Sequence, residues 1–294
     1  MAKRPRAIQH YSPLRYPGGK GRLSGFVQRI FEENELLDGH YVEPYAGGAA
    51  VGLSLLLLEY ASRIYINDIS QPLYLFWKAV VSDTDALCKR IFDENVTVGQ
   101  WKRQQSILRN FRDHSRVTVA FATFFLNRTN RSGIIYSGGM IGGHDQTGEW
   151  KLDARYNKRD LIGRIEAIAA YSNRIRVSNK DAEAFLRTTV PTLPLKSLIF
   201  LDPPYYEQGR SLYENHYQPD DHMRLAGFVR KKLRRNWIIS YDDHPQIRRA
   251  YRGCKKVVYS LAYTAARRYE GSEVMVFSDS LTVPSVRNPL RITE

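Results

Sequence analysis

Cysteine is scarce in this chain. Only Cys88 and Cys254 occur in 294 residues, far apart. That excludes a disulfide scaffold and a cysteine-ligated metal site, and it suits a reducing cytoplasm. Long apolar runs are absent too. The longest, Val51 to Leu58, is far too short to cross a bilayer. The opening Met1-Ala2-Lys3-Arg4-Pro5-Arg6 is basic but has no apolar core after it, so it does not read as a signal peptide. Repeats and low-complexity tracts are missing. Acidic residues are few: 30 Asp and Glu stand against 44 Lys and Arg, a net charge of +14. An excess of that size points to a polyanionic partner, most often nucleic acid. At 43% hydrophobic, the chain can bury a sizeable core in one or two domains.

Two common phosphate loops are also missing. Arg15-Tyr16-Pro17-Gly18-Gly19-Lys20 places two glycines before a lysine, as though loop amides and an ammonium faced an anion. It is not a Walker loop, because position 14 is Leu and no Ser or Thr follows Lys20. A flexible turn ahead of a helix over 23–33 is the plainer reading. Glu43-Pro44-Tyr45-Ala46-Gly47-Gly48-Ala49 lacks the G-x-G-x-x-G spacing of a dinucleotide site. It still follows a short strand and precedes an apolar helix over 53–60, as the first βα unit of a nucleotide-binding sheet does.

What is present is a series of short apolar strands, each ending in an acid. Tyr41-Val42 ends at Glu43, and Ile64-Tyr65-Ile66-Asn67 ends at Asp68, twenty residues after Gly48. An acid at that distance grips a ribose diol in many nucleotide folds, although a strand-end aspartate also caps the next helix. Ile175–Ser178 leads to Asp181, which could cap a helix over 182–188 or reach an adenine amino group. Leu198–Leu201 ends in Asp202-Pro203-Pro204-Tyr205. The prolines stop strand pairing and stiffen the loop where ligands bind in open α/β sheets. Such a corner offers a carboxylate, a peptide carbonyl and an aromatic face to a flat ring bearing an amino group.

Between the second acid and Asp181 the pattern turns helical. Helices are expected over 73–81, 86–92, 101–111, 117–126 and 161–171. Among them lies a basic, glycine-rich loop that includes Asn127, Arg128, Asn130 and Arg131, residue types that meet phosphates and base edges. A loop this long inside a compact domain is uncommon without function. After residue 200 a basic helix over 222–235, a strand over 237–241 and an antiparallel edge hairpin over 256–277 are expected, with a loose tail from Val283.

Together these segments resemble the Dam-like DNA adenine methyltransferases, over roughly residues 13 to 278. The resemblance rests on the order of Arg15 to Lys20, Glu43 to Gly48, Asn67-Asp68, Asp181 with Ala184-Phe185, and Asp202 to Tyr205. It implies a doubly wound α/β, Rossmann-like methyltransferase sheet in two parts, residues 1–71 and 171–294. A mostly helical target-recognition insertion over 72–170 would divide them. It implies S-adenosylmethionine as cofactor, double-stranded DNA as substrate, no metal and no membrane, with a monomer in the cytoplasm expected. Tyr16, Lys20, Glu43, Pro44, Tyr45, Gly47, Gly48, Asp68, Asp181 and Asp202 match cofactor-pocket positions. Asp202, Pro203, Pro204 and Tyr205 match the catalytic corner, with Tyr205 as the ring that stacks on the target base. Asn127, Arg128, Asn130 and Arg131 fall where relatives meet DNA. The chain departs from the family at Ala49, often a third glycine, and at Tyr45, often Phe. Arg131, Ser132 and Tyr136 depart from relatives that methylate GATC, which argues against that target. Amino-methylation of RNA, cytosine or glutamine, and silent DNA binding, are the rival readings.

Overall fold

The computed structural model describes residues 11–15, 20–207, 217–263, 269–286 and 288–291. Its frame is a seven-stranded sheet in the order β3-β2-β1-β4-β5-β7-β6. The strands are β1 (Gly39–Glu43), β2 (Ala61–Asn67), β3 (Ile175–Ser178), β4 (Ser197–Leu201), β5 (Asn236–Asp242), β6 (Lys255–Tyr263) and β7 (Tyr269–Phe277). The first five pair in parallel. β7 runs antiparallel between β5 and β6. Strand order reverses between β1 and β4, so their C-terminal ends part and open a crevice.

The strand sequences explain why both faces are covered. β4 reads Ser-Leu-Ile-Phe-Leu and is buried throughout. Leu198 and Phe200 join one apolar cluster, while Ile199 and Leu201 join a second. Tyr41 and Val42, Ile238 and Ile239, and Met275 and Val276 divide in the same way. A continuous apolar strand with two buried faces belongs in the middle of a helix-covered parallel sheet. The doubly wound architecture expected from the sequence is therefore the one observed.

Helices α1 (Ser24–Glu33), α2 (Ala50–Leu57) and α3 (Gln71–Ser82) contribute to the first cluster. Beyond them α4 (Thr84–Asp93), α5 (Val98–Arg109), α6 (Arg116–Thr129) and α7 (Lys158–Ala169) extend the same cluster without a break. The five helices expected across the insertion are thus present, with bounds displaced by a few residues. On the opposite face α8 (Ala182–Thr189), α9 (Pro219–Lys232) and α10 (Pro245–Ala250) cover the second cluster. One expectation needs correcting. The tail is not loose where it is described, since Val283, Val286 and Leu290 pack on the core around a short 3-10 turn over Pro289–Arg291.

The segment before α1 is tied to the insertion through one side chain. Asn127 is fully buried at the end of α6. Its Oδ1 accepts from the Arg15 amide at 2.8 Å, and its Nδ2 donates to the carbonyls of Arg15 at 2.5 Å and Gly133 at 2.9 Å. Gly133 adopts φ +76°, and a Cβ there would lie 2.4 Å from the Arg15 oxygen. Only glycine lets the two backbones come this close. Replacing Asn127 with Ala leaves three buried backbone groups unpaired, so a loss of about 1–3 kcal/mol in unfolding free energy is expected. Urea unfolding monitored by tryptophan fluorescence measures it, and an unchanged midpoint would show that water replaces the amide.

Candidate active site and nucleic-acid face

The loop after β1 is shaped by neighbours that reach in from other elements. Gly47, at φ +46°, donates its amide to Asp68 Oδ2 at 2.9 Å and accepts the Trp77 indole N–H through its carbonyl at 2.9 Å. The Gly48 carbonyl accepts the Ser12 hydroxyl at 2.6 Å. The Pro44 carbonyl accepts from Asn67 Nδ2 at 3.0 Å, and the same buried amide group donates to the Lys180 carbonyl and accepts the Lys180 amide. Asn67 thus clamps together the ends of β1, β2 and the segment after β3. Asp68 completes the loop by accepting the Ser70 amide on Oδ1 at 2.9 Å. Burial raises its carboxyl, and the Ser70 and Gly47 amides pull the other way.

Ala49, in place of a glycine, is less innocent than its size suggests. It sits at φ +49°, ψ +29°, in the left-handed region, as the residue entering α2. That conformation costs an alanine about 1–2 kcal/mol.

Glu43 is buried at the end of β1. Its Oε1 accepts the Tyr41 hydroxyl at 3.0 Å and the Gly52 amide at 3.1 Å, while its Oε2 is buried with no hydrogen-bond partner. Burial pushes its carboxyl up to about 8, with Asp202 adding to the rise against those two hydrogen bonds. Across the switch point, β4 delivers Asp202. Its Oδ1 is likewise buried without a hydrogen bond, and it lies 3.3 Å from Lys20 Nζ as an ion pair. Burial pushes the Asp202 carboxyl up to about 6; Lys20 pulls it down and Glu273 pushes it up.

Lys20 opens a 3-10 turn (Lys20–Leu23) and is buried. The anions it faces belong to the protein. Its ammonium donates to both oxygens of Glu273, at 3.0 and 2.9 Å, and to the Tyr205 hydroxyl at 3.1 Å. Burial opposes its charge, but Asp202, Tyr205, Glu273 and Tyr259 together hold it well above the ordinary lysine value. Tyr205 is 2% exposed, and its hydroxyl donates to Glu273 Oε1 at 2.5 Å. The turn after the double proline is held by Asp242 at the end of β5, which accepts the amides of Tyr206 and Glu207 at 2.8 and 2.9 Å. Tyr45 and Tyr217 share a hydrogen bond of 2.7 Å between their hydroxyls and meet edge to face. Asp181 caps α8 by accepting the amides of Glu183 and Ala184.

The structure therefore gathers Lys20, Glu43, Asp68 and Asp202, with Pro44, Tyr45, Gly47, Gly48, Pro203, Pro204 and Tyr205, at the C-terminal ends of β1, β2 and β4. Asp181 stands at the adjacent end of β3. Tyr16 lies outside the described residues. Sequence reasoning missed Glu273, Tyr259, Tyr217 and Asp242. Glu273 had a signal: an acid at the start of the apolar run Val274–Phe277 has no reason to be buried unless it is paired.

The basic loop divides into structural and exposed residues. Asn127 is occupied as described. Asn130 is 1% exposed; its amide donates to the carbonyls of Ile134 and Ile135, and its Oδ1 accepts the Trp101 indole. Both asparagines, expected at the DNA, direct their amide protons to backbone carbonyls, Asn127 to those of Arg15 and Gly133 and Asn130 to those of Ile134 and Ile135. Both are buried and hold the local backbone in place. Arg128 donates Nε to the Arg155 carbonyl at 2.7 Å. Burial pushes its guanidinium down to about 10, and the nearby charges of Arg15, Arg164 and Arg155 add to this against Asp160. Arg131 is exposed, on a turn whose backbone pairs with Gly139. Trp150 is 57% exposed, with the Arg155 guanidinium 5.4 Å from its ring centre.

Acid-ended strands meeting at the switch point, with an Asp-Pro-Pro-Tyr corner at the end of β4, place the chain in the doubly wound α/β class. Residues 16–268 match the D12 class N6 adenine-specific DNA methyltransferase family, and the chain belongs to that family. It is 24% identical to the type II methyltransferase M.MjaIII of Methanocaldococcus jannaschii over 236 residues, covering 74% of this chain and 78% of that one. Among solved structures, the rRNA methyltransferase aviRa of Streptomyces viridochromogenes superposes with a TM-score of 0.41 at 14% identity, covering 94% of this chain and 92% of that one. The protein is an adenine-specific DNA methyltransferase with a Rossmann-like sheet.

The strain at Ala49 gives a direct check on the loop geometry. Ala49→Gly is expected to raise unfolding free energy by about 0.5–1 kcal/mol, because relief of the left-handed alanine outweighs the added freedom of the unfolded chain. Denaturant unfolding of the two proteins reads the difference, and a destabilised glycine variant would contradict the assigned conformation.

Proposed function

We propose that the protein flips an adenine out of double-stranded DNA and methylates its exocyclic nitrogen from S-adenosylmethionine, with Asp202 orienting the amino group. The observation that carries this reading is the state of Asp202. It is a half-buried carboxylate on a stiff loop, and its buried Oδ1 has no hydrogen-bond partner among the described residues. The exocyclic nitrogen of adenine is a poor nucleophile because its lone pair is delocalised into the ring. Asp202 and the carbonyl of Pro203 accept hydrogen bonds from its two N–H groups. The nitrogen then moves toward tetrahedral geometry and its lone pair turns toward the methyl group. Asp202 also stabilises the positive charge that develops on that nitrogen. Extrahelical binding of the base costs a few kcal/mol, recovered from stacking and from contacts to the DNA. Tyr205 is the ring assigned to stacking, and because it is buried its face must be uncovered as the base enters.

The residues present fit the cofactor. Glu43 Oε2 is buried with no hydrogen-bond partner among the described residues, and a cationic ligand beside it would favour its ionised form. S-adenosylmethionine, when bound, supplies a methyl group on a positively charged sulfur. Gly47 and Gly48 allow the loop to approach it closely, with Glu43, Pro44 and Tyr45 along the same turn. Asp68, its oxygens aligned by two amides, would accept the ribose hydroxyls, and Asp181 stands near the adenine end. Lys20 backs the site from within the protein. Alignment of the acceptor nitrogen with the methyl group supplies much of the acceleration.

Asp202 must be ionised to accept its hydrogen bond from the amino group. Its carboxyl is pushed up to about 6, so kcat/KM is expected to fall as pH drops through about 6 and to be level above it. Asp202→Ala is expected to lower methyl transfer by at least about a hundredfold while cofactor and DNA binding are partly kept. Labelled-methyl transfer to duplex DNA and equilibrium cofactor binding measure the two, and near-normal turnover in the variant overturns the assignment.

At the basic loop, Arg131 is assigned to base reading and Arg128 to phosphate. Arg131→Ala is expected to cost about 1–3 kcal/mol on the preferred site and to relax sequence preference. Arg128→Ala is expected to weaken all sequences alike and to reduce the salt slope by about one. Binding to the preferred site and its single-base variants at two salt concentrations separates these. A uniform loss for Arg131→Ala would make it a phosphate contact.

A further inference from the structure

Glu273 is the residue of the catalytic end that the roles above leave unexplained. It lies on β7, 0% exposed, and shares Lys20 with Asp202. Oε1 receives the Tyr205 hydroxyl at 2.5 Å and Lys20 Nζ at 3.0 Å; Oε2 receives Lys20 Nζ at 2.9 Å and the Tyr259 hydroxyl. Tyr259 on β6 is in turn 3.4 Å from the Ser240 hydroxyl on β5. A buried carboxylate met by donors from three segments, the Lys20 turn, the Tyr205 loop and β6, is a built device and not a stray charge.

The donor count on Lys20 gives that device a purpose. An ammonium carries three protons. Those of Lys20 are directed at the two Glu273 oxygens and at the Tyr205 hydroxyl. Asp202 Oδ1, only 3.3 Å away, receives the charge of Lys20 without a hydrogen bond. We propose that Glu273 is a positioning residue for methyl transfer: it engages the protons of Lys20 and the hydroxyl of Tyr205, so that Asp202 keeps an open acceptor for the adenine amino group. The proposal rests on the reading of Asp202 given above. Without the carboxylate, Lys20 turns to Asp202, the only other acid it contacts among the described residues, and competes with the substrate for that oxygen. Tyr205 loses its acceptor in the same change. The groups that act on the Asp202 charge in this pocket are Lys20 and Glu273, while Asp202 itself influences Glu43, Tyr41 and Tyr241.

The test uses Glu273→Gln in the full-length protein, a near-isosteric change that removes the charge. Single-turnover methyl transfer to duplex DNA is measured with S-adenosylmethionine saturating, from pH 5 to 8, beside cofactor binding and thermal unfolding. The rate is expected to fall about tenfold to a hundredfold, with cofactor affinity within about threefold of the parent. The acid limb of the pH profile is expected to move down by about one unit, because a released Lys20 holds Asp202 ionised more strongly. Glu273→Asp keeps the charge and should hold the acid limb at the parent value with a smaller loss of rate. If the Gln variant does not fold, the Asp variant decides: a lower rate at unchanged cofactor affinity supports the proposal, and a parental rate overturns it. A folded Gln variant with the parental rate, or with a lower rate and an unmoved acid limb, also overturns it. Failure of the reading beneath it shows separately, as an Asp202→Ala protein that still turns over.

Discussion

The structure depends on one topological constraint, the reversal of strand order between β1 and β4. Parallel strands on either side of that line send their connections to opposite faces, so the two C-terminal ends part and leave a cleft. Three acids reach that cleft by the same route, at the end of an apolar strand. Glu43 ends β1, and Asp68 follows β2 directly. Asp202 follows β4, where two prolines forbid further pairing. The strands are long enough to anchor the acids in a two-sided core and short enough to stop at the same level.

Those acids create the electrostatic problem that the site resolves. Glu43, Asp202 and Glu273 are brought near one another in a poorly hydrated interior, where isolated charges are costly. Lys20 is the cation shared between Asp202 and Glu273, and hydroxyls of Tyr205 and Tyr259 complete Glu273. Two carboxylate oxygens are left without hydrogen bonds, Glu43 Oε2 and Asp202 Oδ1. An enzyme that must receive a sulfonium and a developing ammonium gains from keeping such acceptors open before either arrives. The recognition side works the other way. Arg15, Arg128, Arg155 and Arg164 crowd one another, with Asp160 opposing them at Arg128, and such a surface favours a polyanion.

The sequence was legible where chemistry is local. Acid-terminated strands, the double proline and the small-residue loop each carry their meaning within a few residues, and the sheet and most of the cleft followed from them. Glu273 was not legible as a partner of Lys20, because more than 250 residues separate them and the contact exists only once β7 is inserted beside β5. Asn127 and Asn130 show a different limit. An asparagine in a basic loop suggests a base reader, and the sequence does not show that the same amides also close buried backbone turns. Ala49 shows a further gap: a missing glycine records composition, while the left-handed φ that makes it matter belongs to the folded backbone.

The central claim is that this site moves a methyl group onto the amino nitrogen of adenine in duplex DNA. Its most direct test is to incubate the purified protein with duplex DNA and methyl-labelled S-adenosylmethionine, digest the DNA to nucleosides and identify the labelled product by mass spectrometry. The account predicts label in N6-methyladenine, clustered at one sequence context, with single-stranded DNA and RNA far poorer substrates. Label in cytosine, preferential labelling of RNA, or binding of DNA with no label transferred would contradict it.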